Sequence, residues 1–490
     1  MEKIHRLSGS ELARKIRNKE ISSLDAVEHF IARIESFDPD LNAVVVRDFD
    51  RARDAAKNAD KAIAENALPD GKPLGPLHGV PMTIKDAFEI DGLTCDVGVP
   101  NFQGHVSTSN ARVVQKLQQA GAIFIGKTNT PFMCGDWQTF NPLSGTTNNP
   151  WNLAHTPGGS SGGSAAALAA GLTPLEFGSD IGGSIRVPAH FCGLFGHKPS
   201  HGIISQRGHV PPEHGTLSDR DLNVVGPLAR SADDLELLLD ITAGPDEPAC
   251  AAYHFALQGP RAQTPKNLRV AVWADDPYCP VSADISANIH KAASTLEALG
   301  ASITEAKPNF DLAHNTETFL LLLHSVMASD FPEAIRTRMK SIADAAPKDD
   351  KSFAVLQARG SSLSHADWLA ANETRHAIQA EWTKFFMDVD VLICPVTPRA
   401  AMPHTQDPDF NARRMTVDGT DRAYGENIVW MGLATPCGLP STVVPIGLSQ
   451  DGLPIGMQII APKYEDKTSI AVARWLEENG HQFKAPAAYN

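Results

Sequence analysis

The stretch PGGSSGGS at residues 157–164 and the stretch SDIGGSIR at residues 179–186 place serines on glycine-flanked backbone, with an alanine-rich segment between them. Glycine lets backbone N–H groups come close to a ligand and take dihedral angles that other residues resist. The N–H groups of Ile181, Gly182, Gly183 and Ser184 can therefore converge on one oxygen. Donors arranged in this way form an oxyanion hole.

A serine hydroxyl is a poor nucleophile unless a base activates it, so a base has to come from elsewhere in the chain. The candidate is Lys85, which ends the apolar run LHGVPMTIKD at residues 77–86. This run predicts a buried strand. A lysine acts as a base near neutral pH only if its pKa falls by roughly 3 units from about 10.4. Burial among Val80, Met82 and Ile84 acts in that direction.

Three blocks occur in the order seen in amidase-signature hydrolases: Gly79–Asp86, Gly158–Arg186 and Phe191–Pro199. The chain resembles this family from about Leu24 to Ile460, least between Leu312 and Asp388. The resemblance implies an α/β protein with the amidase-signature fold, in which a large mixed β-sheet core is flanked by helices on both sides.

The same resemblance implies roles for individual residues. Ser184 is the expected nucleophile, Ser160 the bridging serine on a cis peptide bond, and Lys85 the base. Asp180 and Arg186 are expected to support the site by holding the backbone N–H groups in place, and the alternative is an ordinary ion pair.

A loop with two aromatic residues, residues 134–142, is expected to lie beside the acyl site. Its pocket candidates are Cys134, Gly135, Trp137 and Phe140. The alternative for the two aromatic rings is simple packing. The eighteen histidines are interpreted as packing or surface residues, because a lysine-based triad needs none of them.

Composition limits the partners. A net charge of −14 disfavours nucleic acid, and no apolar run approaches the roughly 20 residues that span a membrane. The first residues carry no apolar signal segment, so a cytoplasmic protein is expected. Seven scattered cysteines without a C-x-x-C pair predict reduced thiols and no metal site. No cofactor is expected, and a homodimer is left open.

Two matches to known sequence motifs are rejected. Residues 121–128 match the phosphate-loop pattern G-x-x-x-x-G-K-[ST], but a strand is predicted between the two glycines, where that loop has none. Residues 158–162 match G-x-S-x-G, but a proline-containing loop precedes Ser160 where a nucleophile elbow needs a strand. A flexible linker is also rejected, since an apolar helix follows.

The expected organisation is an N-terminal helical segment, residues 1–66, packed on an amidase-signature domain, residues 67–490, with a variable helical region at about 312–388. Helices are predicted from Ser22 to Asp38–Pro39 and over Phe49 to Glu65, and a strand over Leu41 to Val46. Pro39 is predicted to stop the first of these helices.

The predicted function is hydrolysis of an amide through an acyl-enzyme. Trp137, Phe140 and the leucine-rich segment from Phe319 favour aryl or apolar amides, and carbamates (a urethanase activity) or esters stay open. The alternative is the amidase-like subunit of a tRNA-dependent amidotransferase. Those subunits carry the tripeptide Asp-Gln-Ile directly before a Gly-Pro pair. In this chain the corresponding tripeptide is Asn223-Val224-Val225, before Gly226-Pro227.

Overall fold

The computed structural model describes residues 3–65, 68, 71–211 and 213–490. The α-helices in these residues are α1 (Gly9–Arg17), α2 (Ser23–Leu41), α3 (Phe49–Glu65), α4 (Arg112–Gln119), α5 (Gly162–Ala169), α6 (Arg186–Cys192), α7 (Ala232–Thr242), α8 (Ala283–Ala298), α9 (Leu312–Met327), α10 (Glu333–Ala345), α11 (Phe353–Gly360), α12 (His365–Asp388), α13 (Ile428–Met431) and α14 (Asp466–Glu478). The strands are β1 (Val44–Arg47), β2 (Pro81–Lys85), β3 (Ile123–Thr128), β4 (Phe140–Asn141), β5 (Gly145–Thr146), β6 (Glu176–Asp180), β7 (Phe195–Lys198), β8 (Val224–Ala229), β9 (Arg269–Val272), β10 (Ser302–Glu305), β11 (Val391–Pro395), β12 (Arg414–Val417), β13 (Thr420–Ala423), β14 (Ser441–Leu448) and β15 (Pro454–Ile460).

A mixed eight-stranded sheet forms the centre of the molecule. Its strand order is β10-β9-β11-β15-β14-β7-β8-β6. β9 runs parallel to both β10 and β11, and the remaining pairs are antiparallel. β11 and β15 are buried along their whole length, as expected of strands covered on both faces. The α/β class and the large mixed sheet flanked by helices are thus confirmed.

A second sheet, of order β1-β3-β2, carries Lys85 at the end of β2. β2 and β3 run parallel, and β1 pairs antiparallel with β3. β2 also lies against β6, the edge strand of the large sheet. The chain before residue 67 therefore supplies a strand to the sheet that presents Lys85, while the domain boundary drawn there stays a prediction.

Small residues allow the helix between the two serine runs to approach this second sheet. A side chain at Gly163 would place its Cβ 2.4 Å from the backbone nitrogen of Asn129, just beyond β3. All eight residues of α5 are buried. Close packing thus requires glycine at position 163.

The helix that was expected to stop at Pro39 instead continues to Leu41. Pro39 lies in its last turn, and Asn42 ends it in the left-handed conformation with φ 54°. The Asp38 carboxylate accepts hydrogen bonds from the backbone of Ala43 and Val44 beyond the helix end. This buried cap stabilises the later end point.

The region from residue 312 to 388 folds as four helices, α9 to α12. The sequence predicts a helical region here, and the structure divides it into these four helices. α9 packs on both α11 and α12. Within the described part of the chain, no helix combines the length and apolarity needed to cross a bilayer.

Candidate active site

Lys85 reaches the first serine run from the end of β2. Its Nζ lies 2.6 Å from Ser160 Oγ and donates a hydrogen bond to Ser179 Oγ at 2.9 Å. Ser160 follows a cis peptide bond from Gly159 and lies just before α5, and no strand leads into it. Ser179, which the sequence pattern did not single out, lies on β6. Two adjacent sheets thus bring one amine and two hydroxyls together.

Two buried lysines on neighbouring strands have opposite electrostatic environments. Burial lowers the pKa of Lys85, against the pull of Cys134 and Asp180. Lys127 on β3 is equally buried, but Asp86 contacts it at 2.5 Å, and this carboxylate outweighs burial and raises its pKa. Lys127 therefore stays charged in an ion pair, whereas the amine at Lys85 is driven toward its neutral form.

The second serine run forms the loop between β6 and α6, and the Asp180 carboxylate organises it. Asp180 accepts hydrogen bonds from the N–H groups of Gly183 at 2.8 Å and Ile185 at 3.1 Å. The Ser184 carbonyl accepts a bond from Ser161 N–H at 3.2 Å, so the two serine runs are joined through backbone as well. These contacts fix the loop that bears Ser184.

Arg186 holds the carboxylate in turn. Its guanidinium donates to Asp180 at 3.0 and 3.1 Å. It also donates to the Met431 carbonyl, Gln458 Oε1 and Thr435 Oγ1. Burial would raise the pKa of Asp180, but the charge and hydrogen bonds of Arg186 outweigh it and lower that pKa. This Arg186 network (Asp180, Met431, Thr435 and Gln458) is more than an isolated ion pair, since it also anchors the Ser184 loop.

The four N–H groups expected to form an oxyanion hole do not share one environment. The N–H of Gly183 is taken by Asp180, and Gly183 does not line the pocket. The N–H groups of Ile181, Gly182 and Ser184 have no protein acceptor among the described residues. All three of these residues line the pocket. Three N–H groups, those of Ile181, Gly182 and Ser184, are therefore free to donate to a substrate oxygen, and that of Gly183 is not.

The serines open onto a pocket of about 530 Å³. Ser160, Ser179 and Ser184 line it together with the predicted residues Cys134, Gly135 and Trp137. Trp137 also donates its indole N–H to the Gly182 carbonyl at 2.8 Å, so it braces the loop. Phe140 is not among the lining residues. It lies in β4, with the guanidinium of Arg413 5.6 Å from its ring centre.

Apolar side chains from the variable region complete the pocket wall. Those of α9, the turn after it and α11 are Leu323, Val326, Met327, Phe331 and Phe353. The charged groups that line the pocket are paired. Asp136 bonds Arg413 and accepts from the Tyr424 hydroxyl at 2.6 Å, and Arg220 donates to Asp330 at 2.7 Å.

Two histidines, His209 and His324, line this pocket, while the interpretation of the histidines as packing or surface residues stays a prediction. His209 Nδ1 lies 3.3 Å from the Pro211 carbonyl, and its Nε2 is buried with no partner in the described chain. Burial and the Lys85 charge lower the pKa of His209 to about 3. His324 lies on α9. Neither residue adjoins a serine run in the sequence, which is why the pattern did not reveal them.

Cys134 lies close enough to Lys85 and Ser160 to interact with both side chains. Burial raises the pKa of its thiol, against the Lys85 charge. The thiol is therefore protonated at neutral pH and is a weak nucleophile beside Ser184.

One cluster has metal-ligand chemistry: Glu89, His105 and His214, whose ligand atoms lie within 4.8 Å of one another. His214 Nδ1 already hydrogen-bonds Glu89 at 3.0 Å, and the rings of His105 and His214 stack with centroids 3.5 Å apart. These contacts account for the grouping without an ion.

Comparisons with known proteins match nearly the whole chain. The family model described as Amidase matches residues 25–470. The acylamidase of Rhodococcus erythropolis is 33% identical, over 97% of this chain and 95% of that protein. A glutamyl-tRNA(Gln) amidotransferase subunit of Synechococcus sp. (strain CC9605) is 32% identical, over 96% and 95%. The structure of a bacterial aryl acylamidase of the amidase signature family superposes with a TM-score of 0.79 at 25% identity, over 99% and 98%.

The match extends over nearly the whole chain in both sequence and fold. The chain belongs to the amidase signature family of hydrolases.

Proposed function

We propose that this protein hydrolyses amide bonds of uncharged, largely apolar substrates, with Ser184 as nucleophile, Ser160 as proton relay and Lys85 as base. The observation that carries the proposal is the 2.6 Å contact between Lys85 Nζ, which has no solvent exposure, and Ser160 Oγ in the pocket that Ser184 lines. A buried amine with a lowered pKa is suited to accept a proton near neutral pH.

In the proposed reaction, Lys85 takes the proton of Ser160 while Ser160 takes that of Ser184. Ser184 Oγ bonds to the carbonyl carbon, and the carbonyl electron pair moves onto oxygen, where the N–H groups of Ile181, Gly182 and Ser184 stabilise it. As the tetrahedral intermediate collapses, the C–N bond breaks. The proton held by Lys85 passes through Ser160 to the leaving nitrogen, which is a poor leaving group without it.

Water then repeats the sequence on the acyl-enzyme. It gives a proton to Ser160 as its oxygen attacks the ester carbon, the bond to Ser184 Oγ breaks, and Ser184 regains its proton. The acid leaves and the starting protonation states return. The same cycle accommodates a carbamate or an ester, whose carbonyl carbon is attacked in the same way.

The pocket supports the substrate class. Its aromatic and aliphatic wall favours an aryl or alkyl group. The charges that line it, Asp136 and Arg220, are already paired with Arg413 and Asp330. A charged substrate group would have to enter without a free counter-charge, which is costly in a desolvated site. Aryl acylamidase or urethanase activity on neutral compounds fits these features.

A second candidate is the amidase-like subunit of a tRNA-dependent amidotransferase, favoured by the 32% identity to one such protein. Two features weigh against it. The chain carries a net charge of −14, which does not suit a polyanionic partner. The residues before Gly226-Pro227 are Asn223-Val224-Val225, which departs from the motif of those subunits.

The test uses the purified chain alone with p-nitroacetanilide, longer acyl p-nitroanilides and aryl carbamates. We expect release of nitroaniline without a partner protein, and a loss of at least about 10³-fold in kcat for Ser184→Ala. Intact-protein and peptide mass spectrometry should locate the acyl group on Ser184. An acyl group on Ser160, full activity of Ser184→Ala, or strict dependence on a partner would overturn the proposal.

A further inference from the structure

The pocket contains one buried polar side chain whose hydrogen-bonding groups are all unused. His324 on α9 is 4% exposed and lines the pocket. Neither its Nδ1 nor its Nε2 has a hydrogen-bond partner among the residues that the structure describes. A buried polar group without a partner destabilises the protein, so each such case needs an explanation.

Two histidines with no exposed surface, His190 and His197, are paired at both nitrogens. His190 Nε2 lies 3.0 Å from the Arg399 carbonyl, and its Nδ1 accepts from Gly456 N–H. His197 contacts Thr442 Oγ1 and Asp466 through its two nitrogens. The buried His5 and His209 each lack a partner at Nε2 alone, whereas His324, at the pocket wall, lacks a partner at both nitrogens among the described residues.

Packing alone does not account for His324. Its ring meets the Phe353 ring edge-on, with centroids 5.8 Å apart. Gly360 on α11 makes room for it, since a Cβ there would lie 2.8 Å from His324 Cβ. Leu323 and Met327, its neighbours on α9, are apolar and line the same pocket. A leucine or phenylalanine would fill this place without an unpaired polar atom.

The protonation state of His324 sets the kind of group it can bind. Burial lowers its pKa to about 4, so at neutral pH the ring is uncharged. A neutral imidazole offers one donor and one acceptor. It suits a partner that can both accept and donate, such as a hydroxyl or a carboxamide, and gives no charge to attract a carboxylate.

We propose that His324 binds an uncharged polar group at the non-reacting end of the substrate, so that the preferred substrates are amides with an apolar body that ends in a hydroxyl or a second carboxamide. His324 lines the pocket and makes no hydrogen bond to Lys85, Ser160 or Ser184 among the described residues, so the proposal assigns it to a part of the substrate other than the bond that is cleaved. This inference rests on the proposed amide hydrolysis and adds the substrate feature that the pocket recognises.

The test compares butanoyl, hexanoyl and octanoyl p-nitroanilides with partners of equal length whose terminal methyl is replaced by hydroxyl. In a second series, of hexanamides, the terminal hydroxyl or methyl is carried by the amine part of the substrate. At one chain length we expect the wild type to prefer the hydroxyl compound by at least about tenfold in kcat/KM, the size of one buried hydrogen bond left unmade. His324→Leu should reverse that preference, and His324→Gln should retain part of it.

His314→Leu is the matched control, because His314 lies on the same helix and is exposed. It should keep the wild-type preference. Calorimetry on Ser184→Ala, with and without His324→Leu, measures the binding affinities of the hydroxyl and methyl compounds. This comparison does not depend on turnover.

Equal kcat/KM for the hydroxyl and methyl compounds at every length in both series, with equal binding to Ser184→Ala, would overturn the role of His324. Hydrolysis lost in Ser184→Ala would still support the proposed function in that case. Absence of hydrolysis in the wild type, with a binding preference that His324→Leu removes, would overturn the proposed function and leave the recognition role standing.

Discussion

Ser179 accepts a hydrogen bond from Lys85 at 2.9 Å, and Ser160 Oγ lies 2.6 Å from the same amine. β6 carries Ser179 and β2 carries Lys85, so the contact joins the two sheets at the site. It fixes the direction of the lysine side chain, and with it the direction in which the amine can take a proton.

Replacing Ser179 by alanine should lower kcat by about 10- to 100-fold with a smaller effect on KM, because a misdirected base loses alignment with the relay. The Ser179 oxygen also stabilises the protonated amine. Its removal should lower the pKa of Lys85 further and move the acid limb of the kcat–pH profile to lower pH. A purely structural role would leave that limb in place, so the profile decides between the two roles.

Lys85→Met should lower kcat by at least about 10³-fold. It should not lower the stability of the protein at neutral pH. The pKa of Lys85 is lowered in the folded state, so between that value and the unfolded value the unfolded chain binds more protons. Wild-type stability therefore rises with pH through this window. The variant lacks this dependence. The excess of its free energy of unfolding over that of the wild type, measured with denaturant, should therefore be larger at pH 6 than at pH 9. A smaller advantage at pH 6 would contradict the buried neutral amine.

Glu176→Gln should flatten a second pH dependence, of opposite sign. Burial raises the pKa of Glu176 on β6 to about 7, so the folded state holds its proton more tightly than the unfolded chain. Wild-type stability should fall as pH rises from about 4.5 to 7. The amide variant should be more stable than wild type at pH 8 by roughly 1 to 3 kcal/mol, at about 1.4 kcal/mol per pH unit, and this gain should vanish below pH 4.5. Urea unfolding at the two pH values measures it.

Gly183 and Gly182 form a matched pair for the loop that bears Ser184. Gly183 has φ +101°, and a Cβ there would lie 1.6 Å from Met431 Sδ. Gly183→Ala should therefore lower Tm strongly or prevent folding. At Gly182 a Cβ meets only Ile428 Cδ1 at 3.2 Å, so Gly182→Ala should fold with a small change in Tm. Equal Tm values for the two variants would refute the clash.

The fold and the family could be predicted from the sequence because both are marked by local sequence patterns. The glycine-serine runs and the Lys85 block are contiguous segments whose spacing is readable, and the chain does prove to be an amidase-signature protein with a large mixed sheet. The structure then brings Ser160 and Ser184 to one pocket and places Lys85 in contact with Ser160. Their catalytic roles stay predictions for the experiments above.

The rest of the site depends on contacts between distant segments. Ser179 lies inside a quoted run, but its partner Lys85 is 94 residues away. His209 and His324 reach the pocket through the packing of a loop and of α9, and nothing in their own neighbourhoods marks them. The Asp180 bond to Gly183 was equally hidden, since the glycine pattern indicates backbone freedom and not which N–H groups are already used.

The Arg186 network has a consequence for the order in which the site is assembled during folding. Met431, Thr435 and Gln458 bond the guanidinium from more than 240 positions downstream. Before these distant segments pack, Asp180 is the partner that the Arg186 guanidinium retains, so the turn bearing Ser184 is only partly anchored. Full anchoring of this turn therefore requires the downstream segments that carry Met431, Thr435 and Gln458 to be folded around Arg186.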